Sequence, residues 1–494
     1  MLKPLSADKW NFAAAAHLLN RAGFGGPPAA VDRLVELGPQ QAVSLFVDYE
    51  NLPNEWPNPA WARPDPDRVA KLMGARRGGN EEERRKLQQK ENQMQREHMT
   101  ELRGWWLQRM TKGPRPLQEK MALFWHGHFA TSVEKVREPY FMWRQNELFR
   151  RLATGNWLQM LVEVAKDPAI LIWLDQAQSR KEHPNENFAR EVMELFTLGE
   201  GHYTEKDITE AARALTGWSL DRLAEKFIDR PMLHDNGVKT VLGKTGNLAG
   251  EDVLAQIFAQ PQAARFITAK LWNFFAGQPP SEGLNTALAA VFRADGNNFK
   301  PVLRAMFLSE EFYDPSVVRN QVKSPVQWLV GTVRMLESEL PPPVVCWNLT
   351  RNLGQDLFAP PNVKGWDGGL SWITTNNLLA RYNEAASLVE GVPPAAMGMN
   401  AGRRGNPNGA RPLPNLMRGP RIGRVDVAKI FTQKEHTDKD ALIAALERRL
   451  LQSKLKEKQE KTLREFLDSR GALDDNDILV AIRLVMSTPE YQVT

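Results

Sequence analysis

Histidine and carboxylate side chains are the groups in this 494-residue chain that are best suited to chemistry. The chain has only eight histidines, and the segment FWHGHF carries two of them, His126 and His128. A third, His234, lies beside an aspartate in the segment HDNGVK. Imidazole together with carboxylate suits zinc, manganese or non-haem iron. The sequence therefore predicts a divalent metal (Fe, Mn or Zn) bound by His126, His128, Glu191 and His234.

The stretch 184–198, PNENFAREVMELFTL, predicts an amphipathic helix. Its polar face contains arginine between carboxylates and no lysine, a composition typical of ordered polar networks or of a clamp on a planar substrate group. We predict that His128, Glu186, Arg190 and Glu194 are catalytic. We predict that Asn185, Trp218, Lys239 and Trp366 bind the substrate, with Lys239 and Arg190 holding an anionic group.

These residues also have a structural interpretation. His128 falls on the apolar stripe of a predicted helix, where a histidine commonly donates to a backbone carbonyl. Glu186, Arg190 and Glu194 are four residues apart, a spacing that forms ion pairs on a solvated face. Histidines two residues apart lie on opposite faces of a helix, so His126 and His128 converge only if the helix ends at Gly127.

The elements that must position these residues are mostly helices. Helical periodicity recurs at 251–275, 285–295, 300–312, 322–338 and 439–486, with few alternating strand patterns. Thr204 is placed as the N-cap of a further helix, which we expect to contain Trp218. The predicted fold class is mainly α, a multi-helix globular domain with long Pro/Gly-rich loops.

Composition divides the chain into four segments. Residues 1–66 form N-terminal helices and a proline-rich strap, and 67–390 form the main helical domain. Residues 391–425 contain six arginines and no acid, which predicts an exposed loop. Residues 426–494 form C-terminal helices that pack on the main domain.

Charge and motif content exclude several functions. The 64 basic and 59 acidic residues leave a net charge of +5, which gives no electrostatic argument for a nucleic-acid partner. Phosphate-binding loops and serine-nucleophile elbows are absent from the sequence, so we expect no nucleotide cofactor. No apolar run approaches about 18 residues, which predicts no membrane span. The N-terminus shows no export signal, which favours the cytoplasm over the periplasm.

Six segments together resemble one bacterial family, the domain of unknown function 1800 (DUF1800). They are HLLNRAGFG (17–25), FWHGHFATS (124–132), PNENFAREVMELFTLG (184–199), YTEKDITEAARALTGW (203–218), HDNGVKTVLG (234–243) and GQDLFAPPNVKGWDGGLSW (354–372). The resemblance implies no settled reaction. It implies an often exported protein and a partner protein from a neighbouring family related to sulfatases and alkaline phosphatases.

Three functions remain open at this point. The first is a metal-dependent enzyme acting on a small molecule or peptide, with oxidoreductase favoured over hydrolase because the ligands include no thiolate. The second is a non-catalytic scaffold or assembly partner with a buried polar network. The third is a carbohydrate-active helical enzyme, which would place two acids about 5–9 Å apart facing a tryptophan-lined groove, a spacing that glycosidases use.

Metal analysis of protein purified without chelator or affinity tag tests the first function. The metal hypothesis predicts stoichiometric iron, manganese or zinc that is lost in the variants His128→Ala and Glu186→Ala. A metal-free protein whose variants lose only thermal stability contradicts it.

Overall fold

A computed structural model describes residues 2–78, 80–391 and 423–494 of the protein. Helices account for most of these residues, and the strands are confined to two short hairpins. The prediction of a mainly α fold is therefore confirmed. No helix among the described residues is long and apolar enough to cross a membrane.

The first half of the chain contains eleven α-helices. They are α1 Phe12–Ala22, α2 Pro28–Val47, α3 Pro66–Gly78, α4 Glu81–Lys112, α5 Pro116–His128, α6 Val133–Val136, α7 Pro139–Arg151, α8 Trp157–Ala165, α9 Pro168–Trp173, α10 Glu186–Glu191 and α11 Glu205–Ala214. A π-helical segment, Val192–Thr197, continues α10.

The two hairpins follow, and then the remaining helices. The strands are β1 Trp218–Asp221, β2 Lys226–Asp229, β3 Lys239–Val241 and β4 Lys244–Gly246. The helices are α12 Gly250–Ala259, α13 Pro261–Ala276, α14 Glu282–Ala294, α15 Phe299–Phe307, α16 Pro325–Met335, α17 Pro343–Asn352, α18 Thr375–Glu390, α19 Val427–Ile430, α20 Gln433–Thr437, α21 Lys439–Leu446, α22 Glu457–Asp468 and α23 Asp475–Met486. A second π-helical segment, Glu447–Leu451, follows α21.

The helix predicted over 184–198 forms with two differences. It begins at Glu186 because the Asn185 side chain accepts from the Phe188 amide as the N-cap. Its last turns widen into the π-helix, where the Thr197 hydroxyl donates to Val192 O at 2.6 Å. Single π-turns of this kind occur frequently at functional sites.

The helix predicted to contain Trp218 ends earlier. Thr204 caps α11 as expected, with Asp207 completing a capping box. The helix stops at Ala214, and Gly217 then adopts a φ of 90°. Trp218 begins β1 and pairs with Asp229 in antiparallel register, so its prediction as a helical residue was wrong.

One hydrophobic cluster contains buried residues from α1 to α23. Five tryptophans are among its most completely buried side chains: Trp106, Trp125, Trp157, Trp272 and Trp328. Burying aromatic rings supplies much of the apolar contact that such a core needs. Most of the loop predicted at 391–425 lies outside the described residues, which resume at 423.

A buried carboxylate joins three helices. Glu119 of α5 accepts from Arg109 of α4 at 2.9 Å and from Arg150 of α7 at 2.7 Å, and its other oxygen accepts from the Trp106 indole at 2.9 Å. All four side chains are buried. Burial raises the pKa of Glu119, but Arg150 and Arg109 outweigh it, and the carboxylate stays ionised.

Glu119→Gln should lower the free energy of unfolding by about 3–5 kcal/mol, because it leaves the buried guanidinium of Arg109 without a carboxylate partner and leaves Arg150 paired only with the partly exposed Glu147. The control is Glu163→Gln, which removes a partly exposed partner of Arg151 and should cost at most about 1 kcal/mol. Urea denaturation of both variants measures the difference. Equal losses in the two variants would contradict the role of Glu119.

Candidate functional site

His126 faces the glycine-rich segment 354–372. Its Nε2 accepts a hydrogen bond from the Phe358 amide at 3.0 Å, and its ring lies 5.5 Å from that of Trp366. Burial and the nearby Arg103 lower the pKa of His126 to about 3. The ring is therefore neutral, and its Nε2 lone pair is already used by the backbone.

His128 faces a different part of the core because α5 continues through it. Its Nε2 lies 3.1 Å from Phe196 O at the end of the π-helix, and a carbonyl can only accept, so Nε2 carries the proton. Nδ1 is buried and has no partner among the described residues. Burial and Lys270 hold the pKa of His128 well below its ordinary value. The two histidines therefore do not converge.

The polar residues of α10 and the π-helix join this helix to the α11 region. Glu186 accepts from Thr209 at 2.9 Å, and Glu194 accepts from the Tyr203 hydroxyl at 3.0 Å. Arg190 binds Glu205 through two hydrogen bonds of 2.7 and 2.8 Å. These contacts hold the two helices together. Glu186, Arg190 and Glu194, three of the four residues predicted to be catalytic, therefore each have a structural partner.

Glu191 stands apart from these pairs. It is half-buried, and burial together with Glu194 raises its pKa, while Lys364 and Arg190 oppose the shift. It forms no hydrogen bond or ion pair with another described side chain. Glu191 therefore remains the carboxylate of this helix with the fewest structural obligations.

The other predicted site residues hold the loops around the hairpins. His234 Nδ1 donates to Thr216 O at 2.9 Å, and Lys239 donates to Gly237 O at 3.0 Å. Trp218 packs against Gly250, where a Cβ would lie 2.4 Å from its ring.

The Asn185 side chain likewise holds the backbone at the start of α10. In addition to its capping role, its side-chain amide donates to Leu174 O at 2.7 Å. Because its oxygen accepts from α10 and its nitrogen donates to Leu174 O, the Asn185 side chain ties the start of the helix to the preceding turn.

The segments 124–132 and 354–372 meet through backbone. Gly365 adopts a φ of 84°, and a Cβ there would lie 2.5 Å from Gly127 O. Only glycine satisfies both the left-handed conformation and this close approach. The contact places Trp366 beside His126.

The predicted metal ligands do not fit a metal centre. In the part of the chain that the structure describes, no group of three or more His, Cys, Asp or Glu side chains is placed to hold a metal ion. His126 Nε2 accepts from the backbone, and His128 and His234 donate to carbonyls in separate places. The metal centre stays a prediction of the sequence.

An open cleft of about 860 Å³ lies beside the start of α10. We call it the arginine cleft, because Arg180, Arg222 and Arg230 line it together with His183 and Asn185. The three arginines are exposed. Their guanidiniums form no ion pair or hydrogen bond with the residues that the structure describes.

The carboxylates of the arginine cleft are already engaged. Asp175 forms an ion pair with Lys135 at 2.7 Å. Asp221 accepts from the amides of Leu223 and Ala224 at 3.0 Å, and these bonds lower its pKa. Asp221 keeps its negative charge and is attracted to Arg230, but three arginines outnumber it, so the arginine cleft has an excess of positive charge.

Among these lining residues, the sequence pattern predicts Asn185 as a substrate-binding residue and none of the three arginines. Arg180 precedes α10, and Arg222 and Arg230 lie at the turn and end of the β1–β2 hairpin. The pattern predicts a helix through Trp218, where this hairpin begins, so nothing in the sequence brings the arginines together. The sequence indicates only that each of these arginines lies in a polar turn segment.

A smaller pocket of about 180 Å³ lies across α3 and the same hairpin. Trp61, Tyr140, Glu138 and Glu225 line it. Burial raises the pKa of Glu138 although Arg68 pairs with it, and Glu225 adds to the increase. Aromatic rings with two acids are the composition expected for the carbohydrate-active alternative.

Comparison with known proteins identifies a family but no activity. A family model described as "Protein of unknown function (DUF1800)" matches residues 17–493. No curated protein and no solved structure matches the chain.

The contact between Gly365 and Gly127 can be tested with a matched pair of variants. Gly365→Ala should lower the free energy of unfolding by about 1–3 kcal/mol more than Gly369→Ala, which is the cost of forcing extra atoms into a packed site. Gly369 also has a positive φ, of 55°, but a Cβ there would meet no atom within 4 Å. Denaturation followed by tryptophan fluorescence measures both. Equal effects would show that conformation alone requires glycine at Gly365.

Proposed function

The chain belongs to the DUF1800 family, and we propose that it binds a ligand carrying two or more anionic groups in the arginine cleft. The observation that carries the proposal is the set of three guanidiniums without a carboxylate partner around one open cleft. Guanidinium matches phosphate, sulfate and carboxylate geometry through paired hydrogen bonds. The ligand class is therefore anionic, and the cleft volume suits a small molecule or the end of a larger chain.

The cleft also offers a group for proton transfer. His183 lines it beside Arg180, and an imidazole ring carries two nitrogens that can donate or accept a proton. If the ligand is a substrate, His183 is the residue positioned to exchange a proton with it. Binding and turnover can then be separated, because His183→Ala removes the proton-transfer group and leaves the three arginines.

The carbohydrate-active alternative has support of its own in the Trp61 pocket. The same two elements line this pocket and the arginine cleft. Helix α3 contributes Arg68 to the pocket and Met73 to the cleft, and the β1–β2 hairpin contributes Glu225 to the pocket and Arg222 to the cleft. A saccharide carrying anionic groups could contact both. The metal-dependent oxidoreductase or hydrolase and the scaffold remain hypotheses from the sequence, and metal analysis separates the first of them.

Calorimetric titration with inositol hexakisphosphate tests the binding function. We expect binding that weakens with added salt and falls at least about tenfold in Arg180→Ala/Arg222→Ala/Arg230→Ala, because three charge-assisted contacts are lost. Uncharged myo-inositol should not bind.

The matched control is Arg84→Ala/Arg85→Ala/Arg96→Ala. These arginines are exposed on α4 and the triple change removes the same net charge. It should bind nearly as tightly as the parent protein. Equal losses in the two triple variants would reduce the effect to overall charge, and absence of binding in the parent protein would overturn the proposal.

A further inference from the structure

A second cavity, of about 190 Å³, lies between α1, the segment before α16 and the π-helix that follows α21. We call it the Lys323 cavity. Polar and apolar side chains share the lining, and no carboxylate side chain is among them. The polar members are His17, Asn20, Arg319, Lys323, Gln452, Ser453 and Thr494.

Lys323 is buried and pairs with no carboxylate side chain among the described residues. It is 5% exposed, and its Nζ lies 3.9 Å from the centre of the Tyr491 ring. Burial lowers the pKa of Lys323 to about 7, with Arg319 and Arg381 adding to the decrease and no acid opposing it. The backbone of Lys323 is held on both sides, since its amide donates to Gln492 O and its carbonyl accepts from Arg381. A buried ammonium is costly unless an anion pairs with it.

His17 presents an unpartnered ring nitrogen at the same cavity. Its side chain is 4% exposed, and Nε2 is buried with no partner in the described parts of the chain. The His17 ring packs 4.7 Å from that of Phe312, while burial and Arg21 hold the pKa of His17 well below its ordinary value. The ring is therefore neutral. Buried polar atoms without a partner are few in native proteins, and each calls for an explanation.

We propose that the Lys323 cavity binds a small hydroxy-carboxylate, with Lys323 pairing with the carboxylate and His17 Nε2 hydrogen-bonding to the hydroxyl. The apolar part of the lining, which includes Ala13, Met335 and Leu450, suits a short carbon chain. The site is separate from the arginine cleft, so it stands whether or not the proposed function holds. The motif HLLNRAGFG supplies His17 to this cavity.

Thermal unfolding with glycolate, lactate and malate tests the site, with lactamide and sodium chloride as controls. We expect at least one of the three acids to raise the Tm by about 2 °C or more at millimolar concentration, and lactamide and chloride to have no such effect. Lys323→Met should abolish the response, because methionine keeps the contact with Tyr491 and removes the charge.

The matched control is Lys120→Met. Lys120 is also buried, lies 4.5 Å from the centre of the Phe24 ring and has its pKa lowered to about 7, but it does not line this cavity. This variant should keep the full response. No response to any acid, or an equal response in Lys323→Met, overturns the proposal.

The pH dependence gives a second readout. Binding should be tighter at pH 6 than at pH 9, since Lys323 loses its proton over that range. The other groups facing it keep their charge: His17 is neutral, Arg319 and Arg381 are cationic, and burial raises the pKa of Tyr491. Binding that is independent of pH would remove Lys323 from the site.

Discussion

The ion network around Glu119 is the interaction on which the rest of the structure depends. One buried carboxylate receives hydrogen bonds from two guanidiniums and an indole, and it thereby fixes α4, α5 and α7 relative to one another. Arg109 extends the network to Asn54 in the proline-rich strap at 2.9 Å. Such a network is stable only when every member is satisfied, which restricts how these helices can pack. The end of α5, which carries His126 and His128, is positioned as a result.

The motif residues that suggest catalysis mostly maintain this arrangement. Arg190 and Glu194 join α10 to the α11 region, and His126 fixes the backbone at Phe358. Glu191 is an exception, and further described groups without a partner lie at the guanidiniums of the arginine cleft and at His17 beside Lys323. Residues already engaged in the fold are poor candidates for holding a ligand, because binding would have to break existing contacts. The proposals therefore follow the unpaired groups.

Local pattern accounts for the parts of the fold that could be predicted. The periodicity of 184–198 and the N-cap at Thr204 depend on neighbours within a few residues, and both helices form. The two-residue spacing of His126 and His128 was enough to place them on opposite faces. Their partners, Phe358 N and Phe196 O, are 232 and 68 residues away and cannot be read from spacing. Trp218 was assigned to a helix because its strand depends on pairing with Asp229 across a hairpin. The absence of a partner at Arg180 among the described residues is likewise a property of the folded chain.

The most direct test of anion binding in the arginine cleft is a crystal structure of the protein soaked in selenate, with the anion located by its anomalous scattering. Anion binding in the arginine cleft predicts a selenate ion within hydrogen-bond distance of at least two of the guanidiniums of Arg180, Arg222 and Arg230. Selenate found only at other surface arginines would contradict it. A metal ion bound by His126, His128 or His234 in the same crystals would contradict the structural roles given to those histidines.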